Sequence, residues 1–136
     1  MTFSYAYIRI YVRKASEVAV IDPELIPLVA ARFKLLGEPG RLAILAALQE
    51  GEKSVGELVE ATGRGQPNVS QHLAALSRSG LVDSRREGQH VIYRIADPYV
   101  ARICEAVCAG LADRARKEEP LRRALVRART GGRARA

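Results

Sequence analysis

A mainly α domain carrying a single β-hairpin is what this sequence predicts, and three observations predict it. Four short segments with helical apolar spacing follow one another between residues 25 and 79, each closed by glycine or proline. One stretch, His90 to Ile95, alternates instead with period two and lies just after Leu81-Val82, with Glu87-Gly88 between as the hairpin tip. Asp97-Pro98 then opens a longer striped segment, as an N-cap followed by a first-turn proline.

In chain order, Pro23 and Pro27 lead into a helix over about 25–36, whose apolar residues are Leu28, Val29, Phe33, Leu35 and Leu36. Gly37 to Gly40 breaks it. A second helix runs over about 40–50, with Leu42, Leu45 and Leu48 as its inner face and Gly51 as its stop. Ser54-Val-Gly-Glu57 is a capping box: the serine accepts from the third backbone N–H and the glutamate reaches back. The short helix it opens turns Val55, Leu58 and Val59 inward and ends at Gly63 and Gly65. Pro67 suits the first position of the next helix, whose stripe is Val69, Leu73 and Leu76, and Gly80 closes it. Two helices joined by a short glycine-containing turn form a helix-turn-helix. On the strand from His90, Val91, Tyr93 and Ile95 form the buried face. The last helix, 98–113, carries Val100, Ile103, Cys104, Val107, Cys108 and Leu111 along one side.

The ends are different. Residues 1–21 hold four of the seven aromatics (Phe3, Tyr5, Tyr7, Tyr11) and are left unassigned: an appended edge strand, a disordered arm or an early start codon fit them equally. Residues 22–113 form the expected domain. After 114 the pattern dissolves into Arg and Ala, expected as a largely disordered basic tail.

The net charge of +7 comes from that tail. Residues 114–136 hold nine Lys and Arg against two Glu, whereas residues 1–113 hold thirteen of each sign. Overall basicity is therefore no sign that the body binds nucleic acid. Within the body, Arg64, Arg78, Arg85, Arg86 and Arg94 outnumber Asp83 and Glu87 over residues 64–94. Nothing resembles a signal peptide or a bilayer span, and two cysteines are too few for a disulfide framework, so a cytoplasmic location with free thiols is expected. The sequence shows no cysteine–histidine or serine–histidine pairing with an orienting acid, no phosphate loop and no metal-hydrolase motif, so no enzyme is expected.

Leu36-Gly-Glu-Pro-Gly-Arg-Leu-Ala-Ile-Leu45, Ser54-Val-Gly-Glu-Leu58, Gln66-Pro-Asn-Val-Ser-Gln-His-Leu73, Ser79-Gly-Leu-Val82, Arg85-Arg-Glu-Gly88 and Tyr93-Arg94, in that order and spacing, resemble the arsenical-resistance (ArsR–SmtB) family of bacterial repressors over roughly residues 24–113. The resemblance implies a winged helix-turn-helix that dimerises through its last helix. It also implies a cytoplasmic homodimeric transcriptional repressor that binds double-stranded DNA at an inverted-repeat operator, touches no membrane and lets go when an inducer binds. Family inducers are mostly metals or metalloids, and some members sense redox or sulfur species.

The helix from Pro67 is then the recognition helix. Its stripe faces the core, so Asn68, Ser70, Gln71 and His72 are expected to face the bases. Asn and Gln can bridge adenine, and Ser adapts to either partner. Arg85, Arg86, Gln89 and His90 flank the hairpin tip, where a thin wing reaches phosphates.

Cys104 and Cys108 stand four apart on one helix face, a spacing that one soft ion can bridge. They equally continue an apolar stripe, and buried cysteine is a common small hydrophobe. Arsenic- and cadmium-sensing relatives carry cysteines in the helix before the recognition helix, where this chain has Glu57-Leu-Val-Glu60. Zinc-sensing relatives place Asp and His pairs on the last helix, where Asp97 and Asp113 stand but Tyr99 and Gly110 replace the histidines. The expected inducer is therefore thiol-reactive: arsenic, mercury or cadmium as soft ions, or a persulfide or oxidant, with no cofactor required. A disulfide within one helix is awkward. Its Cα separation of ~6 Å is allowed, but parallel side chains resist a dihedral near ~90°. The competing reading is a winged-helix DNA binder with no inducer, constitutive or architectural, that uses wing and tail without sequence preference.

Overall fold

Six α-helices and three strands occupy residues 21–131, the part of the chain that the computed structural model describes. The aromatic segment at the N-terminus and the last five residues lie outside them. The chain divides into two units, one ending at Glu38 and the other starting at Pro39.

In the first unit, Asp22 accepts a hydrogen bond from the Glu24 N–H and caps a 3-10 turn, Pro23–Leu25. Helix α1 follows, Ile26–Leu36, with Pro27 in its first turn, where a missing N–H costs nothing. Leu36 is buried, whereas Ile26, Leu28 and Phe33 are half exposed or more.

The second unit holds the helix-turn-helix and the hairpin. Helix α2, Pro39–Gln49, buries Gly40, Ile44, Leu45, Ala47 and Leu48. Leu42, expected on its inner face, is exposed and Ile44 replaces it, because the buried stripe follows the i, i+4 row from Gly40 rather than a strict spacing of three. Lys53–Ser54 then forms a short strand, β1, that sequence patterning did not show, since two residues carry no periodicity. The capping box of α3, Val55–Thr62, is present in both halves: Ser54 Oγ accepts from the Glu57 N–H at 3.2 Å, and Glu57 Oε1 accepts from the Ser54 N–H at 3.4 Å. Gly63 ends α3 in the left-handed region, φ +68°, which L side chains rarely adopt.

Helix α4 spans Gln66–Arg78, one residue earlier than expected, with Pro67 second. Its end is a Schellman motif: the Leu81 N–H donates to Leu76 O at 3.0 Å, the Gly80 N–H to Ser77 O at 3.1 Å, and Leu76 and Leu81 are both fully buried. Leu81 O in turn accepts from the Ala96 N–H at 2.9 Å, fastening the end of α4 to the end of the hairpin. Strands β2, Val82–Glu87, and β3, His90–Ile95, pair antiparallel from Val82↔Ile95 to Glu87↔His90, and β1 joins the other edge of β3. The two-residue tip has Gly88 at φ +61° and a non-positive φ at Gln89, the II′ arrangement that suits strand twist.

Helix α2 packs on α3 and α4, and α3 on α4. Ile44, Leu45, Leu58, Val69, Leu73, Leu76, Leu81, Val82 and Val100 are the fully buried side chains of this core. Helix α5, Tyr99–Ala115, starts where Asp97 Oδ1 accepts from the Tyr99 N–H at 2.8 Å.

The C-terminal segment expected to lack order is helical: α5 runs on to Ala115, and α6 spans Glu119–Gly131 and packs on α5. The composition that hid this helix also makes it. Ala, Leu and Arg are strong helix formers, Glu119 favours the N-terminus, and Arg123 lies one turn beyond it at 3.4 Å.

Leu58→Ala should cost about 2–5 kcal/mol of unfolding free energy, since Leu58 is fully buried, and Ser54→Ala about 1 kcal/mol through the lost cap. Urea titrations of both variants check the pair; equal losses would place the core elsewhere.

Candidate nucleic-acid interface

The outward face of α4 follows from what its inner face must bury. Val69, Leu73 and Leu76 are 0–1% exposed. At 100° per residue, Gln71 stands about 160° from Val69, with Asn68 and Ser70 on the flanks. All three are exposed, as the sequence reading expected. His72 is not with them: it stands about 60° from Val69, is half-buried and is engaged within the molecule. Among the exposed residues of this helix, Gln66 and Arg78 carry long polar side chains that the sequence pattern does not single out. Gln66 lies outside the helix that the sequence predicts, because Pro67 suits a first helical position. Arg78, seven residues beyond Gln71 and so on the same face, was weighed only as part of a charge count.

In the hairpin, side chains alternate between faces and directly paired residues share one. Asp83, Arg85, Glu87, His90, Ile92 and Arg94 therefore lie on one face, and Val82, Ser84, Arg86, Val91, Tyr93 and Ile95 on the other. The first face is held together by charge. Arg94 donates to both Asp83 oxygens, at 2.6 and 3.2 Å. Arg85 donates to Glu52 across β3 and to Glu87 at 3.2 Å. The hydrogen bond from Arg94 holds the Asp83 carboxyl below its usual range, and the bond to Glu52 raises the Arg85 guanidinium further.

So the two wing arginines are not equivalent. Arg85 is occupied by two carboxylates, whereas Arg86, on the opposite face and exposed, makes no ion pair among the described residues. Gln89 and His90 sit exposed at the tip. The local cationic excess narrows to Arg64, Arg78 and Arg86, none of which is ion-paired among the described residues.

On α5 the apolar side is covered only at its start. Val100 is fully buried and Ile103 and Cys104 are half-buried, but Val107 is 54% exposed, Leu111 39%, and Cys108 is exposed. Asp97 is used as a cap and Asp113 pairs with Arg116 at 3.2 Å. Among the described residues, no three His, Cys, Asp or Glu side chains converge to hold a metal, and no helix is long and apolar enough to cross a membrane.

A helix-turn-helix followed by a projecting hairpin defines a winged helix-turn-helix. The family model described as "Bacterial regulatory protein, arsR family" matches residues 38–84. The chain is 43% identical over 81 residues to the biofilm growth-associated repressor of Agrobacterium fabrum, covering 60% of this chain and 69% of that one. Among solved structures, the transcriptional repressor BigR from Xylella fastidiosa matches with TM-score 0.58 and 39% identity, over 62% of this chain and 86% of that one. A homodimeric winged helix-turn-helix DNA-binding domain from Mycobacterium bovis matches with TM-score 0.58 and 38% identity, over 75% and 94%. The chain belongs to the arsR family of bacterial regulatory proteins. It is a DNA-binding transcriptional repressor, not an enzyme.

The Asp83–Arg94 pair gives the wing a pH dependence of known sign. A carboxyl with a depressed folded-state pKa adds stability that is full above its unfolded value of about 3.9 and is lost as pH falls through the folded value. Protection factors of the β2 and β3 amides should therefore fall below about pH 4 in the wild type, and Asp83→Asn should lessen that fall. An identical acid response in the variant would show that the pair does not brace the wing.

Proposed function

We propose that two copies of this chain, joined through α5, hold their α4 helices in major grooves of an inverted repeat and release it when a thiol-reactive inducer joins or oxidises Cys104 and Cys108. The observation that carries the DNA half is the division of α4 into a fully buried stripe and an exposed face with Asn68, Ser70 and Gln71. In the arrangement proposed, Arg86, Gln89 and His90 meet the backbone beside the groove, and Arg85 serves chiefly to brace the wing. The dimer half is supported by the uncovered Val107, Leu111 and Cys108 and by the homodimeric relative. A two-fold dimer reads half-sites about 10 bp apart, or a multiple of that.

The sensing half is supported by the exposed Cys108 on that uncovered side, with the half-buried Cys104 one turn before it. Two thiolates suit a soft ion such as arsenic, mercury or cadmium, or a sulfur bridge; four would come together only across a dimer seam. A change there alters the separation of two α4 helices that must dock together, and about 2.7 kcal/mol of coupling lowers DNA affinity a hundredfold.

Gln71→Ala should lose roughly 1–3 kcal/mol of preference for the selected repeat over a scrambled one. An unchanged preference would mean that another face reads DNA. Light scattering should give a dimer at micromolar concentration, and a monomer there removes the geometry. DNA-shift assays on reduced protein with arsenite, mercury, cadmium, polysulfide and peroxide test the rest. Cys104→Ser/Cys108→Ser should bind DNA but resist release. A wild type indifferent to every agent would instead make this a constitutive binder.

A further inference from the structure

Among the described elements, helix α6 carries the largest net charge. It carries Arg122, Arg123, Arg127 and Arg129 against Glu119 alone, a net of +3. All four guanidinium side chains are exposed. Glu119 lies 3.8 Å from Arg122 and 3.4 Å from Arg123, and one carboxylate cannot neutralise both. Arg127 and Arg129 make no ion pair among the described residues.

The packing of α6 leaves that charge free to act. A cleft of about 450 Å³ between α5 and α6 is lined by Ala112, Ala115, Leu125, Val126 and Ala128 together with Arg116, Arg122 and Arg129. Ala115 is buried and Leu125 half-buried. Arg122 and Arg129 thus border the cleft beside Leu125 and Val126, Arg123 and Arg127 are not part of its lining, and all four remain exposed.

We infer that α6 is a second DNA-binding element, one that holds the sugar-phosphate backbone of the duplex and adds affinity without sequence preference. Guanidinium forks match phosphate oxygens two at a time. Counterion release follows the phosphates that cations neutralise locally, so four exposed arginines on one helix would add to the release that the α4 and wing contacts produce. An anionic membrane is the less suitable partner, because a helix lying on one needs a broad free apolar face, whereas among the described large apolar side chains of this helix only Val126 is exposed and Leu125 is half-buried.

The inference rests on the DNA-binding reading, and the experiment separates the two. The full chain and R122Q/R123Q/R127Q/R129Q are titrated with a selected inverted repeat and with a scrambled duplex of equal length, from 0.1 to 0.5 M KCl. The variant should lose tenfold or more on both duplexes at 0.1 M, and less as salt rises. The slope of log K against log salt should flatten by about 0.9 for each phosphate contact removed, with the ratio between duplexes unchanged. The corresponding four-lysine variant, which keeps the charge, should keep the slope even if helix content changes. Equal slopes in wild type and glutamine variant overturn the inference while leaving repression through α4 intact. So does an unchanged slope with arginine-dependent sedimentation on phosphatidylserine vesicles, which would assign the helix to a membrane. A wild type without preference for the selected repeat would overturn the DNA-reading account itself.

Discussion

The DNA-reading face proposed for α4 depends on the seating of three side chains, Val69, Leu73 and Leu76. Burying each is worth roughly 1.5–3 kcal/mol, so the stripe contributes on the order of 5–9 kcal/mol, comparable to the whole stability of an ordinary domain. Turning α4 by one residue would expose much of that surface. The rotation of the helix, and with it which residues face outward, is therefore fixed by the core and not by the polar residues themselves. The Schellman motif adds a second constraint. It ends the helix at a defined residue, and the Ala96–Leu81 hydrogen bond carries that endpoint into the root of the hairpin. Helix and wing thus share one anchor, which a binding surface built from two separate elements needs.

The wing adds a lesson about charge. Five arginines between residues 64 and 94 look alike in a sequence, but the strand register sorts the three that lie in the hairpin. Arg85 and Arg94 fall on the face that holds Asp83 and Glu87 and are consumed there in exposed pairs, which add little stability but fix geometry. Arg86 falls on the other face and keeps its charge. A count of cations near a turn overstates the number that can meet phosphate unless the pairing is known.

Much of this was legible in the sequence. The capping box at Ser54 and Glu57 and the stripe of α4 are local signals that act within a few residues, so both appear as expected, whereas the hairpin tip falls at Gly88-Gln89, one residue beyond the Glu87-Gly88 that the sequence predicts. The misses have physical reasons too. Leu42 was placed inward because spacing of three and of four compete over a short helix. His72 was placed outward because residue type was weighed above its angle to Val69. Strand β1 exists only through pairing with β3, a partner almost forty residues away. Helix α6 was hidden because a run of Arg and Ala reads as a solvated tail until α5 offers it an apolar surface.

The account stands most directly on the outward face of α4. Backbone amide shifts of the labelled protein, followed during titration with a duplex selected from random sequence, test it. The account predicts that the largest changes fall at Gln66 to Gln71 and at Arg86 to His90, with a non-specific duplex perturbing the wing but not the start of α4. Shifts from the selected duplex that leave residues 66–71 untouched would contradict it.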